Sequence, residues 1–153
     1  MGKIFVVDDE DDVRLSLERR MAREGHTVQS AGSQAAAIEI IGSTDVPFDV
    51  VLTDMLMESP NSGVEVLKAA LARDVFTEVV ILTAYGNVAN AVECMKMGAF
   101  DYVEKNIPGV DVYELICIKI EQALDRRRSS LSTVRKLEQF ARTQDKRTDS
   151  PLG

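Results

Sequence analysis

Five short apolar runs rich in β-branched residues alternate along the chain with longer segments of mixed polarity. The first, third and fourth runs are apolar along nearly their whole length, which is typical of strands covered on both faces of a parallel sheet. The five predicted strands are Ile4–Val7, Thr27–Gln29, Val50–Thr53, Val79–Thr83 and Tyr102–Val103.

The segments between the runs have apolar residues at helical spacing and end at recognisable boundaries. Gly25 and Gly98 follow the first and fourth segments as helix stops, and Ser33 is the expected N-cap of the second, which fades near Gly42. The apolar positions are Val13, Leu17 and Met21 in the first helix; Val64, Leu67 and Leu71 in the third; Val88, Ala91, Val92 and Met95 in the fourth; and Leu115, Ile116 and Ile120 in the last, which begins near Val110. This alternation predicts an α/β fold with right-handed crossovers, and for five strands a flavodoxin-like parallel sheet of order 2-1-3-4-5 with helices on both faces.

The helical pattern of the last segment continues beyond the compact part of the chain. We expect a folded domain over residues 1–125 and, over 126–153, an extended C-terminal helix or linker whose polar tail is disordered from Thr143. Apolar residues recur past Leu131, but Arg127 lies where a heptad seam needs an apolar side chain. Two interpretations stay open: a short coiled coil that makes a homodimer, and a partly frayed connector helix.

Charge and composition narrow the classes of function. Residues 1–125 have 22 acidic and 10 basic side chains, residues 126–153 have 3 and 8, and the whole chain has a formal net charge of −7. An acidic body is a poor nucleic-acid binder, so we expect no direct nucleic-acid contact by this chain. No apolar run approaches the roughly 20 residues of a membrane span and the N-terminus does not resemble a signal peptide, so we expect a cytoplasmic protein without membrane contact.

Polar side chains stand where the predicted strands end. Asp8 and Asp9 follow the first strand, Asp54 follows the third, Thr83 ends the fourth and Lys105 comes after the fifth. Because parallel strands point the same way, all five residues reach one edge of the sheet, and the strand order reverses between strands 1 and 3. We therefore expect the three aspartates to lie together at this edge.

Three carboxylates at one place repel one another unless a cation lies between them. Hard oxygen ligands without thiolate or imidazole favour Mg²⁺, which takes few carboxylates and leaves room for a phosphate oxygen. Lys105 offers a positive charge and Thr83 a hydroxyl to the same phosphate, and an aspartate can itself be the nucleophile that forms an acyl phosphate. Each residue alone has an ordinary explanation, such as a helix cap or a solvated lysine, but their ordered occurrence on one edge favours a phosphoryl-accepting site.

Four stretches carry these residues: VVDDEDDVR, VVLTDMLM, VVILTAYGNV and GAFDYVEKN. They resemble the signature stretches of two-component response-regulator receiver domains over roughly residues 3–125. The sequence TAYG followed by AVECMKMGAFDY most resembles receivers of the nitrogen-regulatory class, which precede an ATPase and a DNA-binding domain. The resemblance implies a signalling switch in a phosphorelay, which catalyses only its own phosphorylation and dephosphorylation and is not an enzyme in the usual sense.

The resemblance also implies a role for each residue of the site. Asp54 would be the phosphoacceptor, supplied by a sensor histidine kinase or a phosphotransfer protein. Lys105 would bind the phosphate, and Thr83 with Tyr102 would form the switch whose repositioning reports phosphorylation. The implied Mg²⁺ contacts are Asp8, Asp9, Asp54 and the backbone carbonyl of Leu56.

The loop after Asp54 departs from the receiver pattern. The family usually has a proline four residues after this aspartate and a glycine eight residues after it. Here Glu58 and Ser62 occupy those positions, while Pro60 and Gly63 come later. We therefore expect one extra residue in this loop, close to the proposed metal.

A second departure follows Lys105, where the family usually has a proline that is often preceded by a cis bond. Here Asn106 follows the lysine. A non-proline cis bond costs about 2.5–4 kcal/mol, so we expect a trans bond or a remodelled loop at this position.

These departures leave other functions open. One is a receiver-like interaction module that is not phosphorylated, although all five residues at the sheet edge are intact. A hydrolase of the haloacid-dehalogenase kind would need a second aspartate two residues after the nucleophile, where Leu56 cannot transfer a proton. A nucleotide-binding site is disfavoured because no glycine-rich loop follows the first strand.

Overall fold

The computed structural model describes residues 1–148, with side chains described through residue 145. Five strands form one parallel sheet of order 2-1-3-4-5, as predicted. The strands are β1 Lys3–Val7, β2 Thr27–Ala31, β3 Val50–Asp54, β4 Glu78–Ala84 and β5 Asp101–Lys105. The helices that connect and follow them are α1 Asp11–Arg23, α2 Gln34–Ser43, α3 Ser62–Arg73, α4 Val88–Lys96 and α5 Val112–Thr148.

Alternate residues of the central strands enter two separate cores. Phe5 of β1 and Ile81 of β4 point to the face covered by α2, α3 and α4. Their neighbours Ile4 and Leu82 point to the opposite face, against α1 and α5. Because both faces are covered, β1, β3 and β4 have apolar residues at nearly every position, which is the pattern from which the parallel sheet was predicted.

Local signals set most of the helix boundaries. The Ser33 side chain accepts a hydrogen bond from the Ala36 amide at 3.2 Å, which confirms it as the N-cap of α2. Gly25 and Gly98 follow α1 and α4 with positive φ angles of 93° and 109°. Of the apolar positions predicted in the fourth helix, Ala91 is buried, together with Cys94, whereas Val92 is 40% exposed.

Helix α5 runs well past the compact body, as predicted. The contacts that hold this part of the helix to the domain were not predicted. Arg127, interpreted from the sequence as an interruption of an apolar seam, is buried at the amino edge of the sheet. Its Nε donates to Asp49 Oδ1 at 2.8 Å and its Nη2 donates to Asp74 Oδ2 at 3.0 Å. These two ion pairs fasten the extension of α5 to the domain.

The end of α5 differs from the expected disordered tail. The helix continues through Thr148, beyond Thr143 where the pattern was expected to end. Residues 149–153, the remainder of that predicted tail, lie outside the described residues. No helix within residues 1–148 is both long and apolar enough to cross a membrane.

Candidate functional site

Three strands bring acidic groups and one lysine to the carboxyl edge of the sheet. Asp8 directly follows β1 and is fully buried, and Asp54 is the last residue of β3 and is 6% exposed. Lys105 ends β5, and its Nζ donates to Asp8 Oδ2 at 2.8 Å and to Asp54 Oδ2 at 3.1 Å. It also lies 3.4 Å from Glu10 Oε1. One ammonium group thus joins three carboxylates.

The environment changes the acidity of two of these groups. Burial raises the pKa of Asp54 from 3.8 to about 6, Lys105 opposes this rise, and Asp8 and Asp9 reinforce it. Burial alone would lower the pKa of Lys105, but its hydrogen bond with Asp8 and the charge of Asp54 raise it above its usual value. Near neutral pH, Lys105 is therefore charged and Asp54 is mostly ionised.

The acidic group differs in one member from the predicted set. One carboxylate oxygen each from Asp8, Glu10 and Asp54 lies within 4.8 Å of the other two. Asp9 is exposed and lines the same cleft, but it does not belong to this group of three. The Glu10 amide donates to Asp8 Oδ1 at 2.9 Å, and this turn directs the chain so that Glu10 faces Lys105. The acidic run over 8–12 was the only sequence signal for Glu10.

A cleft of about 320 Å³ opens above these groups, and Thr83 and Leu56 line it. The Thr83 hydroxyl donates to the backbone oxygen of Asn87 at 2.7 Å, so it contacts the residue that precedes α4. The Leu56 side chain is 55% exposed. Tyr102 lies on β5 beside Ile81 of β4, partly buried against the core under α4, away from the cleft.

The loop after β3 closes on itself at Gly63. The Gly63 amide donates to Met55 O at 2.9 Å, which closes the base of the loop. A Cβ at Gly63 would lie 2.8 Å from Met55 Cα and 2.9 Å from Asp54 O, so only glycine fits here. The glycine thus occupies a close backbone approach one position later than the resemblance implies, and Ser62 is fully buried beside it.

The loop after β5 is remodelled at Asn106. The structure has no cis peptide bond among residues 1–148, and Asn106 adopts a φ of 56°. This left-handed conformation is one that asparagine tolerates better than most side chains. The expected trans bond after Lys105 is therefore confirmed, and Asn106 turns the chain along the rim of the cleft.

The family model described as "Response regulator receiver domain" matches residues 4–117. The chain belongs to this family. The receiver is 37% identical over 105 residues to regulatory protein AtoC of Escherichia coli (strain K12), covering 69% of this chain and 22% of AtoC. It is 32% identical over 123 residues to the DNA-binding transcriptional regulator NtrC of the same organism, covering 80% of this chain and 25% of NtrC. The chain thus spans about a quarter of the length of these relatives.

Solved receiver structures agree with the fold. A response regulator receiver domain protein from Clostridium thermocellum superposes with a TM-score of 0.73 and 29% identity, covering 84% of this chain and 98% of that one. NtrX from Brucella abortus superposes with a TM-score of 0.76 and 26% identity, covering 87% of this chain and 29% of NtrX. Both support assignment of the flavodoxin-like receiver fold.

The donor set at the sheet edge fits the metal that receivers use. Receiver domains bind Mg²⁺ at an acidic pocket, and the group formed by Asp8, Glu10 and Asp54 could hold such an ion. The ligand atoms are all carboxylate oxygens, without thiolate or imidazole, which is the preference of a hard divalent cation.

Proposed function

We propose that this receiver accepts a phosphoryl group on Asp54 from a sensor histidine kinase or a phosphotransfer protein. The observation that carries the proposal is the position of the Asp54 carboxylate. It lines an open cleft while its Oδ2 lies 3.1 Å from the Lys105 ammonium, so a nucleophile and a phosphate-binding cation share one site. Ionised Asp54 would form a bond from its carboxylate oxygen to phosphorus as the bond between phosphorus and the donor breaks.

The other residues of the site would prepare this transfer. We propose that Asp8, Asp9, Asp54 and the Leu56 carbonyl hold Mg²⁺, with Glu10 close enough to contribute. Bound there, Mg²⁺ would neutralise charge on the transferring group. Lys105 would move from its carboxylate partners toward a phosphoryl oxygen, because its ammonium group can donate hydrogen bonds to a carboxylate or to a phosphoryl group.

The switch would begin at Thr83. Its hydroxyl is now engaged by the backbone oxygen of Asn87, so a hydrogen bond to a phosphoryl oxygen requires it to leave that partner. Losing this contact frees the start of α4, and Tyr102, which packs under α4, can then reposition. Phosphorylation would in this way bias the surface formed by α4, β5 and α5 between two states.

Phosphorylation by a small donor tests the proposal directly. Incubation with acetyl phosphate and Mg²⁺ is expected to add one phosphoryl group by mass, and Asp54→Asn or excess EDTA to abolish the addition. Absence of any gain, or a gain that persists in Asp54→Asn, would contradict the proposal. The alternative of a non-phosphorylated interaction module predicts no gain and no Mg²⁺ affinity.

We also propose that α5 contacts a second copy of the chain. Leu137 and Phe140 are each 62% exposed on the part of the helix beyond the domain, and their spacing of three residues places them on one face of it. Light scattering of the wild type and of a Leu137→Gln, Phe140→Gln double variant tests this. A monomer in both would refute the homodimer.

Output is proposed to lie with a partner or with another part of a regulator. NtrC is described as DNA-binding, but the match covers a quarter of that protein. Residues 1–125 have a net charge of −12, which repels the phosphate backbone of a nucleic acid. We therefore propose that the receiver itself makes no direct nucleic-acid contact.

A further inference from the structure

The loop between β3 and α3 contacts α2 through one exposed side chain, Glu58. Its carboxylate oxygens lie 3.1 Å and 3.0 Å from the Gln34 amide, which donates to them. Gln34 is the first residue of α2, and Ser33 satisfies the amide two residues further on. Glu58 thus satisfies an otherwise unpaired amide at the positive end of a helix, where a carboxylate is favoured.

The rest of this loop is fixed at its other end. Gly63 donates to Met55 O at 2.9 Å, and the Ser59 amide donates to Ser62 Oγ at 3.1 Å. Leu56 lies between this base and Glu58, and it lines the cleft whereas Glu58 does not. The backbone that faces the cleft is therefore held on both sides, on one side by α3 and on the other by α2.

We infer that Glu58 is a positioning residue for the metal site. By fastening the loop to the first turn of α2, it would fix the backbone at Leu56, whose carbonyl is proposed to contact Mg²⁺. The inference rests on the proposed Mg²⁺ site and adds a residue that acts through Leu56 without touching the ion.

The partner amide can be removed without changing the loop. Gln34→Pro deletes the N–H at the first position of a helix, where proline is accepted. Ser33 has φ −151° and ψ 159°, the extended conformation that a residue before proline prefers. Glu58→Ala removes the other half of the same contact. Both variants are made in the full chain, and Mg²⁺ affinity is measured by calorimetric titration with MgCl₂.

Glu58→Ala and Gln34→Pro are each expected to weaken Mg²⁺ affinity about threefold to tenfold, since the contact is indirect and exposed. The double variant should be no weaker than the single ones, because both remove one interaction. Glu58→Gln keeps an acceptor oxygen and should restore part of the affinity. Glu39→Ala, an exposed glutamate of α2, should leave it unchanged.

The two proposals fail in different ways. If the wild type does not bind Mg²⁺, or Asp54→Asn binds it equally well, the proposed function and this inference both fall. If the wild type binds Mg²⁺ and Glu58→Ala or Gln34→Pro binds it with wild-type affinity, the inference on Glu58 alone is wrong. Additive losses in the double variant would also overturn it. Amide exchange of Gln34 in the metal-free protein gives an independent readout, because Glu58→Ala should accelerate it.

Discussion

Replacing Asp54 by asparagine is expected to stabilise the metal-free protein at neutral pH. The Asp54 side chain is 9% exposed, and burial raises its pKa from 3.8 to about 6 despite the opposing charge of Lys105. The folded protein therefore keeps an ionised group away from the water that it prefers. Asparagine has nearly the same shape and still accepts a hydrogen bond from Lys105, but it has no charge to desolvate.

The magnitude follows from the pKa difference. A rise of about two units corresponds to about 3 kcal/mol between the two protonation states. Water in the open cleft screens part of this, and the variant loses part of its attraction to Lys105, which leaves a gain of about 1–2 kcal/mol in the free energy of unfolding. For a chain of this size that is an increase in Tm of about 2–8 °C.

The size of this gain in the free energy of unfolding depends on pH. Between the unfolded and folded pKa values of Asp54, the folded wild type binds more protons than the unfolded chain. Its free energy of unfolding therefore falls as pH rises through about 4 to 6. The asparagine side chain of the variant does not titrate, so the difference between the two proteins is small below about pH 4 and complete above about pH 6.

Urea unfolding in EDTA at several pH values measures this difference. Asp9→Asn is the matched control, since it removes an exposed carboxylate of the same acidic run and should change the free energy of unfolding little. Added Mg²⁺ should stabilise the wild type by mass action and narrow the gap. An Asp54→Asn variant that is no more stable than the wild type near neutral pH in EDTA, or equally more stable at low pH, would refute the reasoning.

Two further predictions concern packing and ion pairing elsewhere in the domain and do not depend on the protonation of Asp54. Gly63→Ala should lower the free energy of unfolding by about 1–3 kcal/mol, because its Cβ would meet backbone atoms that cannot rotate aside, whereas Gly42→Ala in α2 has no atom within 4 Å and should raise it by about 0.5–1 kcal/mol. Equal effects in urea unfolding would contradict the close approach. Arg127→Met should cost about 1–3 kcal/mol by leaving the Asp49 and Asp74 carboxylates without their cation, and should speed amide exchange in α5 near residue 127. Arg126→Met, at a side chain that is 60% exposed, should cost less than about 1 kcal/mol.

The strands were predictable to the extent that their burial is uniform. Each residue of β3 is buried, so an unbroken apolar run marks it. The edge strand β2 is exposed at alternate positions and reads only as Thr27–Gln29 in the sequence, although it extends to Ala31. Its last residues pair with β1, and this pairing has no signature in their own side chains.

Contacts between distant segments were the part that the sequence could not predict. The acidic partners of Arg127 lie 78 and 53 residues earlier, so its neighbours alone suggested only a misplaced charge in a helical seam. In the sequence, Glu58 is notable only because the family usually has a proline at this position. Its contact with Gln34 of α2, 24 residues earlier, is apparent only from the structure. By contrast the meeting of Asp54 and Lys105 was predictable, because parallel strands place their carboxyl ends at the same edge of the sheet.

The polar groups of the site are already paired in the unphosphorylated protein, and this bears on the switch proposed above. Lys105 already neutralises part of the charge of Asp8 and Asp54, and the Thr83 hydroxyl already has an acceptor in Asn87. A phosphoryl group on Asp54 would therefore exchange existing hydrogen bonds for new ones instead of satisfying free donors. Exchanging one hydrogen bond for another changes the free energy less than satisfying a free donor does, which would keep the two proposed arrangements of α4 close in energy. A switch near balance responds to one covalent charge, and loses that response if either arrangement is strongly stabilised.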